Sequence, residues 1–390
     1  MTFTISQFRS SPPAHLRAQT GTLDWLCAAH VQSELTRAAR ERCGLDEERV
    51  RSRLRAAVKR FGCGEDKIAT RGYELEDCGH TRWDEMEVYR LHEAPSGVGI
   101  SARTRAFERI AGAMLERMCE QTTDPPSDLL HVTCTGYASP SPAQALVARR
   151  GWGATTRVTH VYHMGCYAAF PALRIACSAQ SNTASGILGT TSSEIVHTEL
   201  CSLHVNPANH EPEQLVIQSL FADGGIAYRV ADQTCAEMRS SGFELLALLE
   251  RIIPDSNDAM SWRCSEWGMQ MTLERDVPER LGAALVPFVA ELRERARLPR
   301  EAADETFFAV HPGGPRILDR VQDLLRLEEH QLESSRKVLR ERGNMSSATL
   351  PHIWMELAAD PRVPAGAEVL SLAFGPGLTI CGAVLRKIAS

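Results

Sequence analysis

No two of the twelve cysteines stand closer than Cys166 and Cys177. The chain therefore has no C-x-x-C pair of the kind that builds a zinc site or a redox dithiol. Scattered single cysteines read instead as small buried apolar residues, leaving one or two for chemistry. No apolar run approaches the roughly 18 residues of a membrane helix. The opening MTFTISQFRSSPPAHLRAQ lacks the apolar core of a signal peptide, so the cytoplasm is the expected location. A basic excess is also missing: 43 Lys and Arg face 49 Asp and Glu, a net charge of −6. That argues against nucleic acid as the main partner. There is no short-period repeat, low-complexity tract or Gly/Ser linker. What is present, 43% apolar and 24% charged residues over 390 positions, describes a globular chain built as two packed halves or one large domain.

The first 30 residues are weakly patterned. Leu45–Phe61 reads as an amphipathic helix with acidic residues in its first turn, and Ala102–Cys119 as another helix. Then the texture changes. Asp128–Thr135 is a β-rich run, 155–163 a second, Glu194–Val205 a third and Gly224–Val230 a fourth. Tyr167–Gln180 reads as a helix, which places Cys166 where a strand becomes a helix. Phe243–Ile252 also reads as helical. Further on, Gly268–Arg275 reads as a strand, Pro278–Leu298 as a long helix, and Thr306–Val310 as a buried strand ending at His311. Helices follow over 316–328, 330–341 and 346–358, and strands over 367–373 and 378–386. Alternating strands and helices define an α/β class. Two halves are expected, 1–245 carrying the cysteine nucleophile candidate and 246–390 carrying His311 and Asn344.

A thiol at a helix start feels unpaired backbone N–H groups, so the Cys166 pKa is expected to fall. Taken blindly, any one of the twelve is a buried structural cysteine. His311, before P-G-G, can aim into a cleft, although a lone histidine there is more often structural. Asn344 in RGNMSS suits a plain helix cap. Together they supply a thiolate, a basic partner and neutral donors for a carbonyl oxygen that gains charge; on these residues alone a cysteine protease stays open. His160, His163, His197 and Glu199 suggest a metal site, but alternate residues of a strand face opposite ways, and no metal is expected.

The words VTCTGYASPSPAQ, MGCYAAFPALRIA, ELCSLH, SLFADGG, TLERDVP, FAVHPGGPRILD, RGNMSSATL and LAFGPGLT, in that order over 128–388, resemble the type III polyketide synthases, the chalcone and stilbene synthase family of the thiolase-fold superfamily. The resemblance implies a five-layered αβαβα fold from two similar halves, a homodimer, and no cofactor beyond the substrates acyl-CoA and malonyl-CoA; an acyl carrier protein is a further starter donor. It implies that Cys166 is S-acylated, and that His311 and Asn344 stabilise the enolate left by malonyl decarboxylation. His311 also polarises the thiol. It makes Phe221 the residue at the mouth of the coenzyme A tunnel, and puts Met271 where the family has a second phenylalanine.

Further pocket positions implied are Thr135, Leu203, Ser346 and Phe374. Cys134, Cys201 and His204 stand where plant members carry threonines, and a small residue at Cys201 accompanies an acyl tunnel in bacterial members. Ser139 replaces a methionine, before a Pro140 expected to be cis. Lys59, Arg60 and Lys67 are candidates for the coenzyme A phosphates, against a plain solvated helix face. The expected reaction extends a fatty acyl starter to an alkylpyrone or alkylresorcinol. A small-starter enzyme (phloroglucinol, dihydroxyphenylacetate or naphthalene type) and a single-condensation ketosynthase are the alternatives.

Overall fold

The computed structural model describes residues 2–181, 192–232, 241–299 and 305–388. The main sheet is mixed and nine-stranded. One side of it is β1 (Phe3–Ser11), β4 (Asp128–Thr133), β5 (Arg157–Tyr162), β6 (Ser192–Leu200) and β7 (Asp223–Asp232). The other side is β8 (Gly242–Ile252), β11 (Phe307–Val310), β12 (Glu368–Gly375) and β13 (Thr379–Ile388). The order is β11-β12-β13-β8-β1-β7-β6-β4-β5. β4 runs parallel to β5 and β6, and β11 parallel to β12; the remaining pairs are antiparallel. β4 is buried along its whole length, as a strand covered on both faces must be.

Two helices occupy the centre. α5 (Ala169–Ser181) and α10 (Thr349–Ala359) each touch strands of both sides. They meet where Phe170 packs edge-on against Trp354, ring centroids 6.1 Å apart. Both belong to one core shared with Ile195, Tyr228, Val369 and Leu385 of the two strand sets. A second core lies under α1 (Gln19–Glu41), α3 (Ile100–Cys119) and α4 (Pro142–Arg149). A third lies under α7 (Val277–Arg295) and α8 (Pro315–Leu325). Helix, sheet, central helices, sheet and helix thus stack in five layers, the two strand sets being joined through β1. Smaller elements are α2 (Glu47–Phe61), α6 (Pro212–Leu220), α9 (Glu333–Arg342) and two hairpin-like pairs, β2 (His15–Ala18) with β3 (Thr70–Tyr73) and β9 (Met260–Cys264) with β10 (Met269–Leu273).

Three expectations are corrected. Phe243–Ile252 is not a helix but β8, paired by β1 on one edge and β13 on the other. Its GFELLALLERI composition favours a helix, and pairing on both edges overrides that weak preference. The segment 194–205 stops being a strand at Leu200, and Cys201–His204 is a 3-10 turn. The unpatterned start holds β1, β2 and the 23-residue α1. Polar residues on the buried face of α1, among them Gln19, His30, Ser33 and Glu34, hide its amphipathic pattern.

Candidate active site

Cys166 lies in a short 3-10 turn, Gly165–Tyr167, between β5 and α5. Gly165 has φ +79°, and a Cβ there would stand 2.6 Å from Pro376 Cδ, so only glycine lets this turn approach the 374–376 segment. The Gly165 N–H donates to Cys134 Sγ at 3.0 Å. A Cβ at Gly375 would lie 3.6 Å from Cys166 N, so the cysteine turn rests on the end of β12. His311 is tied to the same strand: its N–H donates to the Leu372 carbonyl at 2.8 Å. Two anchors three residues apart on β12 therefore place both residues.

Asn344 reaches the region from α9. Gly343 turns the chain at φ +74°, and Asn344 then bridges to Phe221. Its N–H donates to the Leu220 carbonyl (3.0 Å), and its own carbonyl accepts from Ala222 N–H (2.9 Å). Its side-chain Oδ1 accepts the Ser346 N–H at 2.9 Å, the local capping role read from the sequence. That bond leaves Nδ2 facing away. Nδ2 and both ring nitrogens of His311 are buried without a hydrogen-bond partner. Buried polar atoms are nearly always paired, so Asn344 Nδ2 and the protonated ring nitrogen of His311 are donors left for a ligand to satisfy.

A cavity opens beside the cysteine turn. Its lining includes Cys134, Thr135, Cys166, Cys201, His204, Phe221, Met271 and Ser346. Leu203 and Phe374 do not line it: Leu203 is fully buried under α3, where the 3-10 turn points it, and Phe374 packs toward α7 and α8. His311 and Asn344 are not among its lining residues either. Lys59, Arg60 and Lys67 are outside it too, on the surface around the end of α2. That end touches α6 through the bond from Cys63 N–H to Ser219 Oγ at 2.7 Å.

Sequence reasoning missed a large share of the wall. Thr22, Trp25 and Leu26 come from α1, Arg71 and Tyr73 from β3, Gln214 and Ile217 from α6, and Met260, Trp262, Trp267 and Met269 from the β9–β10 region. Only the tryptophans, scarce in this chain, carried a local signal.

The electrostatics run against a resting thiolate. Burial, with the Glu199 carboxylate adding to it, pushes the Cys166 thiol up to about 12, while a hydrogen bond from Ser346 pulls the other way. Burial takes His311 down to about 3. The expected fall of the Cys166 pKa is therefore corrected: one turn of 3-10 helix offers a weak dipole, and desolvation outweighs it. Burial favours the neutral thiol of Cys166 and the neutral imidazole of His311 alike. Inactivation by iodoacetamide should accordingly keep climbing about tenfold per pH unit up to pH 9 and beyond. A plateau reached near neutral pH contradicts this.

Glu199 is no metal ligand here. Its oxygens accept from Cys134 N–H (3.1 Å), Thr135 Oγ1 (3.0 Å), Ser347 N–H (3.3 Å) and the Ser347 hydroxyl. Burial still holds its carboxyl at about 7. His197 is spent on Ser347 (3.0 Å) and Tyr228 (3.2 Å), and His163 on the Trp262 carbonyl (2.8 Å). His160 stacks on Tyr162. Among the described residues no group of three His, Cys, Asp or Glu converges on a metal position.

The solved type III polyketide synthase domain of the Dictyostelium type I/III hybrid Steely1 matches over the whole of both chains, with a TM-score of 0.81 at 21% identity. PKS-I from the brown alga Ectocarpus siliculosus matches 99% of this chain and 98% of its own, also with a TM-score of 0.81, at 20% identity. In sequence, the N-terminal domain of the chalcone and stilbene synthases matches residues 109–233 and their C-terminal domain residues 244–389.

The type III polyketide synthase A of Arabidopsis thaliana is 32% identical over 275 residues, 68% of each chain. The 1,3,6,8-tetrahydroxynaphthalene synthase of Streptomyces coelicolor is 29% identical over 292 residues, 72% of this chain and 74% of its own. The chain belongs to the chalcone and stilbene synthase family and is a type III polyketide synthase, an acyl-transferring, carbon–carbon bond-forming enzyme. No helix among the described residues is long and apolar enough to cross a membrane.

Proposed function

We propose that the enzyme loads a fatty acyl group from acyl-CoA onto Cys166 and extends it with malonyl-CoA to an alkylpyrone or alkylresorcinol. The Cys166 sulfur attacks the acyl thioester. The new C–S bond forms, the bond to coenzyme A breaks, and the thiol proton leaves with the coenzyme A thiolate. His311 in its neutral form relays that proton. Malonyl-CoA then loses CO₂, and the electron pair becomes an enolate. The enolate carbon attacks the acyl-Cys166 carbonyl, a C–C bond forms, the C–S bond breaks, and Cys166 leaves as a thiolate that regains its proton from solvent before the extended thioester reloads it. With that one proton atoms and electrons balance, so the reading calls for no metal or redox cofactor.

The observation that supports the reading is a set of orphaned polar atoms on the two residues that follow β11 and α9. His311 Nε2 or Nδ1 and Asn344 Nδ2 are unpartnered and buried, and the developing enolate oxygen supplies the missing acceptor. Such preorganised donors act strongly in a dry site.

The alkyl starter rests on the wall beyond Cys134 and Cys201. His204 faces the cavity, yet its Nε2 donates to the Thr135 carbonyl (2.8 Å) and its Nδ1 accepts the Met269 N–H (3.1 Å). Burial keeps it neutral, its pKa taken down to about 3. The Trp262 indole N–H donates to the Cys134 carbonyl at 2.6 Å. The polar ends of His204 and Trp262 are thus spent internally, and this part of the wall offers thiols, thioethers and ring faces. Each buried CH₂ adds about 0.8 kcal/mol, so kcat/KM should rise from acetyl-CoA through octanoyl-CoA to longer acyl-CoAs, read from radiolabelled malonyl-CoA turnover. Cys201→Phe should cut the long-chain rate far more than the short-chain rate. Equal loss for both lengths removes Cys201 from the tunnel. The Streptomyces relative, named for tetrahydroxynaphthalene, supports a second reading with a small starter, and a preference for acetyl or malonyl groups selects it.

A further inference from the structure

On the wall built by α1 and β3, two donors are left over. Arg71 and Tyr73 both line the cavity and are 1% and 4% exposed. They are alternate residues of β3 and so share one face, while Gly72 between them backs onto Pro13. The Arg71 guanidinium lies 5.6 Å from the Tyr73 ring centroid. Most of Arg71 is committed: Nε donates to Gln19 Oε1 (2.7 Å), and Nη1 to the carbonyls of Gln218 (2.9 Å) and Phe221 (2.7 Å). Its Nη2 has no partner, and neither has the Tyr73 hydroxyl. The Thr22 hydroxyl beside Tyr73 donates to the Ala18 carbonyl at 3.2 Å, and its oxygen lies outside hydrogen-bond geometry from the Tyr73 hydroxyl. The remaining orphan on the lining, Gln218 Oε1, is an acceptor, and His30 interacts with that side chain. Among the described lining side chains, Arg71 and Tyr73 therefore hold the buried donors that nothing in the protein satisfies.

Leaving a donor buried and unpaired is costly, and a cavity that keeps two on one strand face is shaped for acceptors. We propose that Arg71 Nη2 and Tyr73 Oη form a second donor site that binds keto oxygens of the growing polyketide chain. This rests on the condensation described above, which leaves a carbonyl on every second carbon. The malonyl carboxylate is not the group served, because an arginine on it would stabilise the ground state and slow its loss as CO₂. The amide carbonyls of the pantetheine arm offer the same chemistry from a second source, and the experiment separates the two.

Tyr73→Phe deletes one atom that has no partner in the free protein. Its thermal midpoint should hold or rise, since an unsatisfied buried hydroxyl disappears. With one starter and malonyl-CoA, the ratio of the longest to the shortest ketide product should fall about threefold to tenfold, the loss of one hydrogen bond. The ratio should fall further than the rate of the first extension, and KM for malonyl-CoA should change less than the ratio. Arg71→Lys should shift the ratio the same way and also lower the midpoint, because it gives up the backbone carbonyls held by Nη1. A raised KM for both thioesters with an unchanged ratio gives the donors to the pantetheine arm and overturns the assignment. An unchanged ratio and KM overturns it as well, and so does a lowered midpoint in Tyr73→Phe, which marks a structural hydroxyl. Wild type must make ketides for the ratio to exist, so failure of the condensation reading shows as absence of product before any variant is compared.

Discussion

Cys166→Ala is expected to abolish S-acylation and polyketide formation, a loss on the order of 10⁴ or more. Four thiols line the cavity, Cys78, Cys134, Cys166 and Cys201, so the assignment has to discriminate among them; Cys78 is buried and its pKa is driven well above the ordinary range by burial, with Asp223 adding to it. Cys134 Sγ is engaged by the Gly165 N–H, and its pKa is driven well above the ordinary range by burial and Glu199. Cys201 is raised in the same way, with Glu199 and Asp223 adding to burial. Cys166 alone sits on the turn anchored to β12, the strand that also holds His311. Mass spectrometry after incubation with acyl-CoA should show one adduct on the Cys166 peptide. An adduct that persists in Cys166→Ala transfers the role to another thiol and ends this reading.

Asn344→Ala should slow malonyl-CoA decarboxylation about 10²–10³-fold while Cys166 still becomes acylated. The alanine also removes the Oδ1 that accepts the Ser346 N–H, so a folding defect could mimic the result. Asn344→Asp separates the two. It keeps an acceptor for Ser346 and replaces only Nδ2, the donor without a partner. Decarboxylation should fall in both variants, with the thermal midpoint of the aspartate form closer to wild type. His311→Ala should differ by impairing acylation too, since the thiol proton has no relay without it. Wild-type decarboxylation in Asn344→Asp removes the oxyanion role from that amide.

Much of the site was legible because it is written in short words with local geometry. Gly165 before Cys166 and Gly343 before Asn344 are needed at positive φ, and each glycine marks the turn that aims its neighbour. The cavity positions in VTCT and ELCSLH are also contiguous with strand ends, where side chains leave the sheet. The α1 and β3 wall was not legible. Trp25 and Leu26 sit on a helix whose buried face is largely polar, and Tyr73 and Arg71 on a strand of four residues. The helix carries no clean apolar period and the strand is too short to show one. The β8 misreading has the same root: eleven residues of leucine-rich sequence hold no information about the partners on both edges.

The sequence by itself determined the class of the fold, the family and the words that carry Cys166, His311 and Asn344. Motif order and turn chemistry are local properties, and they survive in one dimension. Tertiary structure alone decided the protonation of the site. Whether Cys166 behaves as a thiolate depends on how far burial and Glu199 outweigh a short helix turn, and Glu199 arrives from β6, a different element. It also decided which polar atoms are spent. His204 looks like a polar group in the cavity until both its nitrogens are traced to Thr135 and Met269. Arg71 and Tyr73 look like structural residues until two of their donors are found with nothing to bind. Hydrogen-bond satisfaction is a property of the packed whole, because each partner comes from a segment distant in sequence.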